Sequence, residues 1–212
     1  SISHGVPVTA PSLAGARVGR GPFVRSRDRL MPELTPRQEI AVLARALWAE
    51  GYDDHLAGHI TMNLGDGTLL CNPWLVRWDE LRPEQVIRID LDGHVVEGDW
   101  PVPLGIPLHL ELHKLRPDVQ VAMHNHPLFG TVRADRAEVP PAYDQSSLLG
   151  GGEVVLVSEY DGAVNAPDAA RSAVEALGGA DIALLAGHGV FVLGSSVGAD
   201  PQRAVALEQR CQ

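Results

Sequence analysis

The stretch Val119-Gln120-Val121-Ala122-Met123-His124-Asn125-His126-Pro127 decides how the rest of the chain is read. Its apolar run has the length of a buried strand and closes in a His-x-His pair. Residues two apart on a strand point to the same face, so His124 and His126 are expected to present two imidazoles to one point. A second apolar run, Ile182-Ala183-Leu184-Leu185-Ala186, ends in Gly187-His188-Gly189. Glycines on both sides of a histidine let backbone and ligand approach closely. Three neutral imidazoles with one open position make a catalytic metal site. The chain holds nine histidines, and a His-x-His pair also arises from ordinary core or surface residues. On spacing alone the ligand reading and the structural reading stand level.

Composition narrows the chemistry. A chain of 212 residues with 45% hydrophobic content can bury one substantial core. A net charge of −10 argues against nucleic acid or an anionic membrane as the main partner. No apolar run approaches the roughly 18 to 20 residues that span a bilayer. Cys71 and Cys211 are far apart and suggest no disulfide framework, so a reducing cytoplasm is the simplest location. Cys71 is a conceivable nucleophile, but nothing near it in the chain resembles an activating base. Lys114 is the one lysine among 17 basic residues. Schiff-base chemistry would rest on that residue alone, at what reads as the polar end of a helix. Carbon–carbon chemistry here therefore calls for a metal as electron sink.

Residues 1–30 read as a separate basic arm, rich in Gly, Pro and Ser, with five arginines against Asp28. The arm is either loosely ordered or docked on an acidic neighbouring subunit, and it lacks the apolar stretch of a secretory signal. Residues 31–212 read as a single domain. Thr35-Pro36-Arg37-Gln38 is a capping box with proline at the first helical position, opening a helix to about Glu50. His59–Leu64 and Thr68–Cys71 flank Gly65-Asp66-Gly67 as a hairpin. Further strands are expected at 86–91, 95–96, 153–157, 182–186 and 190–193. Helices are expected at 105–116, from about 127 to 133, at 167–177, and from Pro201 onward. This alternation predicts an α/β layered fold with a mixed sheet. There is no glycine-rich nucleotide loop.

The order of four stretches resembles the class II aldolase/adducin family over roughly residues 33–211. They are Gly58-His59-Ile60-Thr61-Met62, Asp90 to Gly98, His109 to Pro127, and Gly187-His188-Gly189-Val190. The resemblance implies a three-layer α/β/α sandwich around a central, mostly antiparallel sheet. It implies one divalent metal ion per chain (zinc, manganese or iron) held by His124, His126 and His188. It also implies a homotetramer with active sites at subunit interfaces. Two departures stand out. Sugar-phosphate aldolases of the family hold phosphate with a Ser/Thr-Gly-Asn loop and a second hydroxyl-rich loop. Here those places read Leu56-Ala57-Gly58-His59 and Cys71-Asn72-Pro73-Trp74. Aldolase members also carry an acidic residue 19 positions before the first metal histidine, where this chain has Gly105. The chain is in these respects similar to decarboxylase-type members.

Other side chains are candidates for what is missing. His109 and His113 lie four apart and share a helix face. The resemblance sets that helix beside the metal, so His109 is a candidate acid or base, or else a supporting core histidine. In the segment 140–147, Tyr143 is a candidate proton donor, Asp144 a base and Gln145 a carboxylate contact; the plainer reading is a capped loop entering the next helix. Tyr160 is a further substrate contact. Trp74, Trp78 and Trp100 belong either to the core and subunit contacts or to an aromatic pocket. In the latter case Arg77 offers a bidentate carboxylate contact, and His55 and His59 line the mouth. The expected function is a metal-dependent lyase cleaving a carbon–carbon bond, by decarboxylation or retro-aldol cleavage, of a non-phosphorylated carboxylate, hydroxy-aromatic acids being one candidate class. The alternatives are a non-haem iron oxygenase on the same scaffold and an adducin-like binding protein without catalysis.

Overall fold

The structure, a computed structural model, describes residues 33–158, 167–198 and 200–212. The basic arm expected over residues 1–30 and the candidate Tyr160 lie outside the described residues. Eight strands form one sheet: β1 His59–Asn63, β2 Thr68–Cys71, β3 Ile87–Asp90, β4 Val95–Glu97, β5 Val121–Asn125, β6 Val154–Val157, β7 Ile182–Leu185 and β8 Gly189–Gly194. Their spatial order is β4-β3-β2-β1-β5-β8-β7-β6. Every neighbouring pair is antiparallel except β6 and β7. That parallel pair is joined by a helix, as parallel neighbours require a crossover. The sheet is therefore mixed and mostly antiparallel.

Among the described residues six α-helices and one 3₁₀ turn, Pro83–Gln85, accompany the strands: α1 Pro36–Ala49, α2 Ile106–Leu115, α3 Leu128–Asp135, α4 Gln145–Gly150, α5 Pro167–Leu177 and α6 Asp200–Cys211. The capping box of α1 forms as read: Thr35 Oγ1 accepts from the Gln38 backbone, and the Gln38 side chain accepts from the Thr35 backbone. Alternation along the strands sorts the core into two sides. Val190 and Val192 of β8, with Met123 of β5 and Ile60 of β1, pack with Ile40, Leu43 and Leu47 of α1 and Leu207 of α6. Phe191 and Leu193 point the other way, to Leu108 and Leu112 of α2 and Val174 and Leu177 of α5. Leu69, Ile87 and Ile89 join α2 through Ile106 and Leu110. Helices on both faces of one sheet make the α/β/α sandwich.

The β1–β2 hairpin turns through Gly65 and Gly67, both at positive φ, where L side chains are strained. Asn63 Oδ1 accepts from the Gly65 N–H, and Asp66 Oδ1 accepts from the Thr68 N–H, closing the turn. Among the described residues no helix is long and apolar enough to cross a membrane.

Candidate metal centre

Register brings the histidines together. In the β1–β5 pair His59 lies opposite His124, and in the β5–β8 pair Asn125 lies opposite Val190. The end of β5 therefore sits beside the start of β8. The β7–β8 hairpin turns through Ala186-Gly187-His188, with Gly187 at φ +66° and the His188 N–H bonded to Leu185 O at 3.0 Å. That turn delivers His188 to the end of β5. His124 is the last but one residue of β5, while His126 lies one residue past the strand. The strand-alternation argument for both histidines thus holds only for His124. His126 is aimed instead by a local turn, in which its N–H donates to Asn125 Oδ1 at 2.8 Å. The rings of His124 and His126 stand at 89° to one another.

The three Nε2 atoms converge. His188 Nε2 lies 3.1 Å from His124 Nε2 and 3.1 Å from His126 Nε2. The donor atoms of all three lie within 4.8 Å of one another. For His124 and His126, hydrogen bonds on the far side of the ring say which nitrogen carries the proton. His124 Nδ1 is 2.9 Å from Val190 O, a carbonyl that can only accept. His126 Nδ1 is bonded to Asp54 Oδ2. Both Nδ1 atoms therefore donate, and both Nε2 atoms turn lone pairs inward. His188 Nε2 can give a proton to at most one of them. A cation answers all three at once, and two bonds of about 2.1 Å to a shared ion can span a 3.1 Å separation. The donor set fits a divalent metal, and the Asp54–His126 contact is the carboxylate that orients such a ligand from outside.

Electrostatics keep the site in its metal-ready form. Burial, reinforced by His59, His126 and His188, holds His124 well below the usual histidine range. Burial and then His126 lower His188 to about 4. Both rings are therefore neutral at neutral pH, and the hydrogen bond to Val190 O leaves the inward nitrogen of His124 as a lone pair.

Asp54 was not among the residues read from sequence. It lies in the loop before β1, 72 residues from its partner. Replacing Asp54 by asparagine should keep the side-chain volume and weaken divalent-metal affinity about 10- to 100-fold. Titration of the chelated chain with Co²⁺ would measure it; an unchanged Kd would show that Asp54 does not orient His126.

The other candidates fall at different depths. His59 is buried with Nδ1 unpartnered, its ring 5.4 Å from that of His124 and pressed against Gly105. A Cβ at position 105 would come within 2.2 Å of His59 Cε1, so the imidazole fills the space a side chain there would need. Burial, then His126 and His188, lower His59 to about 3. His109 is fully buried behind it, against Phe191. The Thr61 hydroxyl lies 2.8 Å from both His109 Nδ1 and His113 Nε2, as the shared face of α2 requires. Trp74 is half-buried, and its backbone N–H donates to Pro101 O. Arg77 already grips Asp79 through two nitrogens and lies over the Trp48 ring at 4.9 Å. Trp78 is core, its indole N–H donating to Gly58 O. Tyr143 is 86% exposed. Asp144 caps α4, where the Ser147 N–H holds its carboxyl below the usual range. Gln145 opens that helix, exposed. Cys71 is fully buried, and burial pushes its thiol far up, which leaves it protonated and unreactive.

Comparison with known proteins is consistent with this geometry. Residues 38–212 match the family described as Class II Aldolase and Adducin N-terminal domain. The 3,4-dihydroxyphthalate decarboxylase of Arthrobacter keyseri is 31% identical over 81% of this chain and 74% of its own length. A 4-hydroxy-3-prenylphenylpyruvate oxygenase/4-hydroxy-3-prenylbenzoate synthase of Streptomyces roseochromogenus is 30% identical over 81% of this chain and 64% of its own. Against an adducin-related protein of Schizosaccharomyces pombe the chain spans only 54% of the relative's length. Among solved structures, an aldolase II superfamily protein from Pseudomonas syringae superposes with a TM-score of 0.76 at 25% identity, covering 87% of this chain and 76% of that one. A match over residues 38–212, on a sandwich fold whose strand ends gather three inward-facing imidazoles, places this chain in the class II aldolase/adducin family.

Proposed function

We propose that this chain is a divalent-metal lyase that breaks a carbon–carbon bond in a small, non-phosphorylated carboxylate, a hydroxy-aromatic acid being the favoured class. The observation that carries the reading is the set of three Nε2 atoms, two of them fixed as lone-pair donors by Val190 O and Asp54. Bound there, zinc, manganese or iron supplies a Lewis acid that stabilises the negative charge developing as the bond breaks. Decarboxylation and retro-aldol cleavage both need that stabilisation. The chain's own residues choose between substrates. A phosphate site needs clustered N–H, hydroxyl or basic donors. The places that would supply them carry Leu56, Pro73 and Trp74, and Asn72 is buried with its amide spent on Ile60 N, Gly58 O and Pro73 O. An apolar ring fits such a wall better than a phosphate.

In this reading His59 offers a neutral imidazole to the substrate carboxylate, and His109 supports it from behind. Trp74 lines the ring, with Arg77, Gln145 and Tyr160 as further contacts. Tyr143 and Asp144 exchange protons from the exposed edge. Leu128, Val132, Leu148 and Leu149 are exposed on α3 and α4, which supports a homo-oligomer that covers them; the assembly in this reading is a tetramer and its location the cytoplasm.

Thermal unfolding of the Mn²⁺-loaded chain tests the substrate class. A saturating dihydroxyphthalate at about 100 times Kd should add about 2.7 kcal/mol and raise Tm by roughly 5–10 °C, with carbon dioxide released on turnover. A sugar phosphate should leave Tm where it was; a shift of that size with the sugar phosphate alone would overturn the reading. The similarity to the Streptomyces oxygenase supports a second reading, an iron oxygenase built on the same three histidines. Oxygen uptake by the Fe²⁺-loaded chain with a hydroxyphenylpyruvate would favour it.

A further inference from the structure

Helix α3 begins two residues after His126 and has no side-chain cap of its own, because Pro127 stands at its N-cap position. The first N–H groups of a helix need acceptors from elsewhere. Here they come from α6, almost 80 residues on in sequence. Glu208 Oε1 accepts from Phe129 N at 2.8 Å, and Glu208 Oε2 accepts from Gly130 N at 2.8 Å. Glu208 is only 8% exposed, so its charge is held chiefly by these two N–H groups and the positive end of the helix. The fit is close. A Cβ on Gly130 would come within 2.8 Å of Val190 Cγ1, 3.2 Å of Pro127 Cγ and 3.3 Å of Glu208 Oε2.

His126, a candidate metal ligand, lies just before this turn. His126 is packed so closely on the start of β8 that a Cβ on Gly189 would lie 2.4 Å from His126 Cδ2 and 2.7 Å from Asn125 O. Beyond His126 the chain passes through Pro127 directly into the turn that Glu208 grips. We infer that Glu208 is a positioning residue for the metal centre: from α6, it clamps the first turn of α3 and so holds His126 in line with His124 and His188. The inference rests on the three histidines being the metal site. Docking of α6 then becomes a condition for metal affinity, although no residue of α6 is a ligand.

The test is Co²⁺ titration of chelated, full-length protein, with circular dichroism and the visible Co²⁺ spectrum recorded on each variant. Glu208→Ala should weaken Co²⁺ binding about 10- to 100-fold, the range for partners that orient a ligand from outside. Glu208→Gln keeps one good acceptor and should fall between; it carries the test if the alanine variant does not fold. Gln209→Ala, exposed on the same helix, should bind as the wild type does. Wild-type Kd and spectrum in both folded Glu208 variants, or in the glutamine variant alone if only that one folds, would overturn the positioning role and leave the metal site standing. A wild-type chain that binds no Co²⁺ would overturn the metal site and this inference with it.

Discussion

His188→Ala should lower the metal retained by the purified chain from about one ion to none, and abolish turnover with it. Three imidazoles are the whole protein donor set found among the described residues, and a metal held by two imidazoles and water loses the closed side of its site. His188 is also the ring that faces both others, at 3.1 Å each, so its removal leaves the two remaining Nε2 atoms without their common neighbour. His124→Ala should do the same and additionally remove the ring's hydrogen bond to Val190 O, worth about 0.5–1.5 kcal/mol. His94→Ala, exposed and bonded only to Asp90, is the control and should retain metal. Elemental analysis of protein purified without chelator or oxygen reads the result. Full metal content in both the His188 and His124 variants would sink the assignment. A wild-type chain that takes up no metal even on reconstitution would favour the adducin-like alternative.

Which parts of this site the sequence announced depends on how local their causes are. His124, His126 and His188 were legible because strand ends and flanking glycines mark them within a few residues. The Thr35 capping box and the Gly65-Asp66-Gly67 hairpin were legible for the same reason, since turn and cap chemistry is set by neighbours. His109 and His113 shared a face as their spacing required, but the Thr61 hydroxyl that joins them comes from another element. Asp54 and Glu208 were not legible. Each acts across more than 70 residues, through a register that only the folded sheet defines. Position 105 was readable as a missing side chain, whereas its occupant was not: the imidazole of His59 arrives from β1. The strand order, with β5 at the centre between β1 and β8, was likewise invisible, because six of the seven pairings are antiparallel and the alternation pattern fits several orders.

The histidines behind the metal centre should make the chain sensitive to acid. His59 is lowered to about 3 and His113 to about 4, in both cases chiefly by burial, and His109 is lowered in the same direction. An unfolded histidine titrates near 6.5. Below that pH the unfolded chain binds protons that the folded chain refuses, so stability falls with pH. The contribution is fully present above about pH 6.5 and is lost progressively as pH drops towards the folded values. Between pH 7.5 and pH 5 each such ring removes about 2 kcal/mol, so His59 and His113 together remove about 4 kcal/mol. Against a typical total of about 5–15 kcal/mol, that is roughly a quarter to four-fifths of the stability. In the metal-free chain His124 and His188 add to the loss, while saturating metal takes them out of the titration. Urea unfolding at pH 7.5, 6.5, 5.5 and 5.0, with and without Mn²⁺, would measure both parts. His113→Gln should make the pH slope shallower by about one proton. A midpoint that stays flat from pH 7.5 to 5 would mean that these rings find water or a proton acceptor in solution, and that the centre is far less closed than its burial indicates.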